Sequence, residues 1–294
     1  MCGIVGVLSQ HQAAPILVES LKRLEYRGYD SAGIATVNNG NLERRRAVGK
    51  LVNLSDLLVH QPLEGKSGIG HTRWATHGVP STKNAHPHKA GSVAVVHNGI
   101  IENFKKLRED LVRMGYNYET DTDTETVALL AQHYLSQGDT QRVAAKKTVD
   151  QLDGAFALAF LFNGEDDLMI VARRGSPLAI GHGKQEMYIG SDAIALAPLT
   201  DQITYMDEGD FAVLTRNSLE ITDTNGDLVN REIRKISIDA TQVDKSGYKH
   251  FMAKEIAEQP SILKHTLQNY VSADGADIKL PTNDVDLSKI EKLT

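Results

Sequence analysis

The one cysteine among 294 residues stands at position 2, in Met1-Cys2-Gly3-Ile4-Val5-Gly6. A lone cysteine is ordinarily a small buried hydrophobe, but this placement offers other chemistry. Removal of Met1, which a small second side chain permits, would leave the Cys2 thiol and a free α-amine on one residue. An unperturbed α-amine titrates at about 7.7–8.0, so near neutrality it could act as general base to its own thiol. The run Gly3-Ile4-Val5-Gly6-Val7-Leu8 reads as a strand able to hold that terminus still.

Three further segments carry chemistry. His71-Thr72-Arg73-Trp74-Ala75-Thr76-His77-Gly78 follows an apolar run, and five of the eleven histidines fall between His71 and His97. No carboxylate lies between those two and the intervals match no familiar zinc pattern. The segment therefore reads as an anion-recognition loop with no metal. Arg73 offers a planar fork for a carboxylate, with Thr76 and His77 as added polar partners. A structural ion pair is the other use of that arginine. Trp74, the only tryptophan, is either a core anchor or a mobile lid.

In Val95-Val96-His97-Asn98-Gly99-Ile100-Ile101 an Asn-Gly pair sits between apolar flanks. Such a pair alone marks a turn, but the Asn98 amide and the Gly99 N–H could also supply two neutral donors to an oxyanion. Thr120-Asp121-Thr122-Asp123-Thr124-Glu125 precedes a helix. Taken alone, Asp123 reads as an ordinary helix cap; its functional use would be to bind an ammonium group. Together these parts describe a pocket with a thiol, its amine base, two oxyanion donors, an arginine for a carboxylate and an aspartate for an amine. A molecule with an α-carboxylate, an α-amine and a cleavable side-chain carbonyl is glutamine. A non-catalytic glutamine sensor or interaction module that kept the pocket is the rival reading, and intact Cys2, Arg73, Asn98 and Asp123 argue against it.

The rest of the chain must position these groups. Cys2–Leu8, Ala32–Val37, Ser67–His71, Val93–Val96, Ala155–Phe162, Leu168–Ala172, Met187–Ile189 and Phe211–Leu214 are apolar runs bounded by Gly, Asn or Asp, and read as strands. Asn39-Gly40 and Asn225-Gly226 are hairpin signals. Helical periodicity marks Pro15–Leu24 and Phe104–Met114, the latter stopping at Gly115. A third helix follows Thr122 and Glu125, spaced as a capping box, and ends near Gly138. Strands beside strands, with helices in separate groups, predict an α+β fold with largely antiparallel sheets.

Composition narrows the partners. With 32 basic and 38 acidic residues the formal charge is −6, which argues against a nucleic-acid surface or an anionic membrane. Arg44-Arg45-Arg46 reads as a solvated strand edge. One cysteine excludes an intrachain disulfide framework and fits a reducing compartment. No signal peptide is visible, and the longest apolar run, Ala155–Phe162, is far short of the roughly 20 residues that span a bilayer. These features predict a soluble cytoplasmic protein. After about residue 240 the character changes. Tyr248–Tyr270 reads as one helix, with Phe251, Ile256, Ile262, Leu263 and Leu267 as apolar positions and Pro260 as a kink or break. The predicted division is 1–240 as the chemical domain and 241–294 as a linker.

Met-Cys-Gly-Ile-Val-Gly at the start resembles the class II glutamine amidotransferases, a branch of the N-terminal-nucleophile hydrolases. Within them, several segments are similar to the glucosamine-6-phosphate synthase subfamily: Leu24 through Gly33, His71 through Gly78, Asn84-Ala85-His86-Pro87-His88, His97 through Asn103, Gly175-Ser176-Pro177-Leu178 and Lys254 through Pro260. The resemblance implies a four-layer αββα sandwich with Cys2 as nucleophile and base, and with Asn98 and Gly99 as the oxyanion hole. It implies Arg73, Thr76, His77 and Asp123 as glutamine ligands, Trp74 as gate to the ammonia passage and Arg27 as a residue ordering the loop over the site. His86 is implied in the loop that communicates with a sugar domain. No metal or organic cofactor is implied. The subfamily continues into a sugar-phosphate isomerase domain that accepts fructose 6-phosphate, and the complete enzyme is expected to be a homo-oligomer. This chain is expected to be the glutaminase domain with its linker.

Overall fold

Short apolar runs, separated by turns rich in Gly, Asn and Asp, pair into two antiparallel sheets in the computed structural model, which describes residues 2–75, 78–236 and 247–271. The chain opens with β1 (Gly3–Leu8), α1 (Ala13–Lys22), β2 (Ser31–Asn38) and β3 (Asn41–Val48). There follow α2 (Leu51–His60), β4 (Ser67–Arg73), β5 (His88–Ala90) and β6 (Val93–Ile101). Three helices come next, α3 (Phe104–Arg113), α4 (Thr124–Ser136) and α5 (Gln141–Asp150). Strands then return as β7 (Gly154–Phe162), β8 (Met169–Arg174), β9 (Ala179–Gly183) and β10 (Glu186–Gly190). The last are β11 (Gln202–Tyr205), β12 (Phe211–Leu214), β13 (Leu219–Thr222), β14 (Leu228–Val229) and β15 (Ile233–Lys235).

One sheet runs β15-β11-β9-β10-β1-β4-β2-β3 and the other β14-β13-β12-β8-β7-β6-β5. Three apolar clusters mark three interfaces. Val5, Val7 and Ile34 meet Leu17, Leu21 and Leu54 beneath α1 and α2. Ile4, Leu8 and Ile69 face Val96, Ala157 and Val171 between the sheets. Val95, Leu158 and Phe160 meet Leu111, Val127 and Leu130 beneath α3 and α4. Within β1 the alternation is strict, since successive side chains of a strand point to opposite faces, and the resulting order of layers is α, β, β, α. Close approach of α1 depends on the absence of side chains beneath it. A Cβ at Gly68 would stand 2.8 Å from Leu17, and one at Gly70 would stand 3.0 Å from Leu21.

Every strand expected from the sequence is present, and Asn39 and Gly40 both take positive φ, as a two-residue hairpin turn requires. Three expectations are corrected. Arg44, Arg45 and Arg46 lie on the edge strand β3 but are half-buried and bound to backbone carbonyls. Arg44 donates to Pro87 O at 3.0 Å, Arg45 to Gln61 O at 3.2 Å, and Arg46 to Lys83 O and Ala85 O at 2.9 and 2.8 Å. Arg44 and Arg46 clamp the segment bearing His86, and burial beside Arg44 draws the Arg46 pKa down to about 10.

The second correction is the capping box. α4 begins at Thr124, and the N-cap residue Asp123 makes no side-chain cap. Its carboxylate instead accepts from Ile101 N–H at 2.9 Å, on β6. Glu125 turns back to accept from Glu119 and Thr120 N–H at 2.8 and 2.7 Å, while Thr122 Oγ1 meets His88 Nε2 at 3.1 Å. The third concerns α2 and α5, which the sequence reading missed. The buried face of α5 is Ala144, Ala145, Thr148 and Val149, too small and polar a stripe to announce a helix.

The chain divides into two compact units, Met1–Val243 and Asp244–Thr294. In the second, one helix, α6 (Phe251–Tyr270), runs through Pro260. The side chains of Ile256, Ile262, Leu263 and Leu267 on it are exposed. Among the described residues no helix is long and apolar enough to cross a membrane.

Candidate active site

The N-terminal end of β1, the C-terminal ends of β4 and β6 and the start of α4 meet at one place. Register sets the first contact. Gly3 pairs with Thr72 and Ile4 with His71, which brings Cys2 beside Arg73 and Trp74. Cys2 Sγ accepts from Trp74 N–H at 3.1 Å and lies 3.4 Å from Trp74 O. Burial pushes the thiol pKa up, against the opposing pull of the Trp74 N–H and the Arg73 charge. At neutral pH the resting sulfur is therefore a thiol, and attack needs a base beside it.

β6 supplies the next groups. Asn98 Nδ2 donates to Cys2 O at 3.2 Å, while Asn98 Oδ1 faces His71 Nε2 at 3.0 Å. Gly99 takes φ of +124°, and a Cβ there would stand 2.0 Å from Ala155 O, so no side chain fits. N–H groups two residues apart on a strand point to the same edge. Ile101 sends its N–H to Asp123, and Gly99 stands two residues before it, opposite Phe156 of β7.

Arg73 is buried, donates from Nη2 to Gly78 O at 3.0 Å and holds Nη1 3.7 Å from Asp30 Oδ1. Asp30 also ties down the strand exit. Its N–H donates to Arg73 O at 2.7 Å and its carboxylate accepts from Ala75 N–H. The sequence reading gave Asp30 no role, because Arg73 and Ala75, which it ties down, lie more than 40 residues away. Trp74 is no core anchor. It is 55 % exposed, and its ring lies on Gly28, where a Cβ would come within 2.2 Å. Next to Gly28, Arg27 pairs with Asp192, which also accepts from Tyr26 Oη at 2.8 Å. Thr76 and His77 lie outside the described residues.

Four of the clustered histidines come together in the interior. His71 stacks on His86 with centroids 4.1 Å apart, and His86 meets His88 edge-on at 4.6 Å. His86 Nε2 and His97 Nδ1 both reach Thr124 Oγ1, at 2.9 and 3.0 Å, and the Thr124 hydroxyl is 3.5 Å from Asp123 Oδ1. A hydroxyl has two lone pairs and one proton. Two imidazole N–H donors and one carboxylate acceptor use all three. Among the described residues no group of three potential ligands is placed to hold a metal. His86 thus lies in the interior behind Asp123.

Cys2, Arg73, Trp74, Gly99 and Asp123 line a cavity of about 20 Å³, with His86 and His97 in its wall. That volume holds about one water molecule, so an amino acid enters only if the lining rearranges. A larger cleft, lined by Gln10, Asn38 and Arg216, lies at the far end of β1. There the Arg216 guanidinium is committed to Ser9 O, Asp166 O and Ser67 Oγ, which marks it as structural.

Burial draws the His71 pKa down to about 3 and holds His86 and His88 well below their ordinary value. Because these folded values lie below the unfolded value of about 6.5, the unfolded chain binds more protons between them. Stability is full above pH 6.5 and falls as pH drops toward 3, by up to about 1.4 kcal/mol per pH unit for each histidine. The melting temperature should drop steadily from pH 7 to pH 5. A flat melting temperature over that range would show that these rings protonate without cost.

The glutamine amidotransferase domain model matches residues 71–198. The glutamine–fructose-6-phosphate aminotransferase (isomerizing) of Brucella suis is 53 % identical over 294 residues, all of this chain and 48 % of that protein. The enzyme of the same name from Bradyrhizobium diazoefficiens is 57 % identical over 281 residues, 96 % of this chain and 46 % of that one. The chain thus spans about half the length of the curated relatives it matches. Among solved structures, the glutamine phosphoribosylpyrophosphate amidotransferase of B. subtilis superposes with a TM-score of 0.68 at 25 % identity, covering 77 % of this chain and 50 % of that one.

Proposed function

The chain belongs to the glutamine amidotransferases, and from that membership we propose that it hydrolyses the side-chain amide of L-glutamine through a thioester on Cys2. The observation that carries the reading is the Asn98 amide, which donates to the backbone carbonyl of Cys2 while Asp123 and Gly99 open onto the same cavity. On this reading Cys2 is the nucleophile, Asn98 and Gly99 are the oxyanion donors and Asp123 is the ammonium acceptor.

In this mechanism Met1 is removed, and the Cys2 α-amine takes the thiol proton as Sγ attacks the glutamine Cδ. Asn98 Nδ2 and Gly99 N–H hold the resulting oxyanion. The tetrahedral intermediate collapses as the α-ammonium returns the proton to the leaving nitrogen, releasing ammonia. The amine then takes a proton from water, which attacks the thioester and yields glutamate and the free thiol. Arg73, with Thr76 and His77, holds the α-carboxylate end and Asp123 the α-ammonium. Trp74 opens and closes the site, Arg27 supports it through the Gly28 contact, and His86 backs the ligand-binding wall.

For the complete protein, the relatives' printed name supports delivery of the ammonia to fructose 6-phosphate to form glucosamine 6-phosphate. That step uses a sugar-phosphate isomerase domain in a cytoplasmic homo-oligomer, with residues 1–240 as the glutaminase and 241–294 as linker. The test is glutamate release from glutamine, together with intact mass and labelling by a glutamine-shaped diazoketone. Turnover, loss of Met1 and a single label on Cys2 are expected. Glutamine binding without turnover would make the chain a sensor, and an active sample retaining Met1 would remove the amine base.

A further inference from the structure

His71 is not a member of the pocket lining, yet it is one of two groups that fix the Asn98 amide. His71 Nε2 lies 2.9 Å from His97 O and 3.0 Å from Asn98 Oδ1. A backbone carbonyl can only accept, so Nε2 must carry the proton and Nδ1 the lone pair. That assignment settles the amide, whose oxygen and nitrogen cannot be told apart by shape. Its oxygen must face the Nε2–H, and its NH2 must face the other obligate acceptor, Cys2 O, at 3.2 Å. A flipped amide would set N–H against N–H and oxygen against oxygen.

We propose that His71, as a fixed Nε2–H tautomer, is a positioning residue for the oxyanion hole. It holds the Asn98 amide with its donor turned toward the nucleophile. This rests on the glutaminase reading of the site and extends it to a residue outside the pocket lining. Preorganised donors stabilise a transition state because they need no reorientation as charge develops. An Asn98 free to rotate would lose that advantage while still able to form the bond.

The surroundings hold the imidazole in one state. β4 lies between β1 and β2, with Ile4 and Gly33 opposite His71, so the backbone cannot shift to either side. The ring stacks on His86, and its Nδ1 is buried with no hydrogen-bond partner among the described residues. An unpartnered lone pair there costs less than an unpartnered N–H, so the environment favours the same tautomer. Nearby His97 and Arg73 disfavour a second proton, as does burial, and the ring stays neutral wherever the enzyme would work.

Two variants and one spectrum of the whole chain test this. His71→Ala should lower kcat roughly 10- to 100-fold with KM for glutamine changed by no more than about threefold, the pattern of a lost transition-state interaction. His71→Gln, whose amide nitrogen can donate from nearly the Nε2 position, should recover most of the loss. The pH profile of His71→Ala should keep its shape between pH 6 and 9, whereas a general base would take one limb with it. Independently of activity, ¹⁵N spectra of the unsubstituted chain should show His71 neutral with the proton on Nε2 from pH 5 to 9. A proton on Nδ1, titration near pH 6.5, or unchanged kcat in both variants would overturn the inference alone. An unsubstituted chain that releases no glutamate would remove the glutaminase reading and this inference with it.

Discussion

Replacing Cys2 by alanine should abolish glutamate release and diazoketone labelling while leaving the fold and glutamine binding in place. The nucleophile has no substitute in the pocket, where Cys2 is the only thiol of the chain. Loss of such a group costs roughly 10⁴-fold or more in turnover. The fold should tolerate the change because Cys2 precedes β1 and, among the described residues, its sulfur hydrogen-bonds only to the Trp74 backbone. A melting shift within about 1 kcal/mol is expected from one weak sulfur hydrogen bond. Binding should survive because the proposed carboxylate and ammonium partners, Arg73 and Asp123, are anchored elsewhere, to Gly78 and Ile101. Calorimetry with glutamine and an assay for glutamate separate the two effects. Turnover retained by Cys2→Ala would end the thioester mechanism.

The strands and the pocket were unequally legible in the sequence. β1, β4, β6 and β7 could be read because apolar, β-branched residues stop at Gly or Asn, and the chemistry-bearing residues stand at those stops. Asn98 is polar at the end of an otherwise apolar run, and that contrast is a sequence signal. His71 and Asp30 carried no comparable signal. Their partners are 27 and 45 residues distant: the facing of the two sheets sets His71 of β4 against Asn98 of β6, and the pairing of β4 with β2 sets Asp30 beside Ala75. Asp123 shows the same limit from the other side. Its place before a helix suggested capping, but the N–H it accepts belongs to β6, which local spacing cannot reveal. Arg44, Arg45 and Arg46 looked solvated because a charge run usually is. The backbone carbonyls of the 83–87 segment and of Gln61, which they satisfy, come from other parts of the chain.

Asn98→Ala should lower kcat by about 10²- to 10³-fold, the loss of one oxyanion donor, with little change in KM. The Asn98 amide meets Cys2 O and His71 in the unliganded pocket, so its removal takes nothing from the groups that would hold glutamine at rest. The fold keeps most of its stability, since His71 Nε2 retains His97 O as acceptor. Only Cys2 O loses its side-chain donor, and cost on the order of 1 kcal/mol is expected for one such bond. The double variant His71→Ala, Asn98→Ala is the sharper measurement. If His71 acts only by orienting Asn98, nothing remains for it to orient once the amide is gone. The double variant should then be no slower than Asn98→Ala alone, and the two single losses should not multiply. Multiplied losses would mean that His71 reaches the reacting atoms by a route that does not pass through Asn98. An Asn98→Ala chain with undiminished kcat would leave the oxyanion to Gly99 N–H alone.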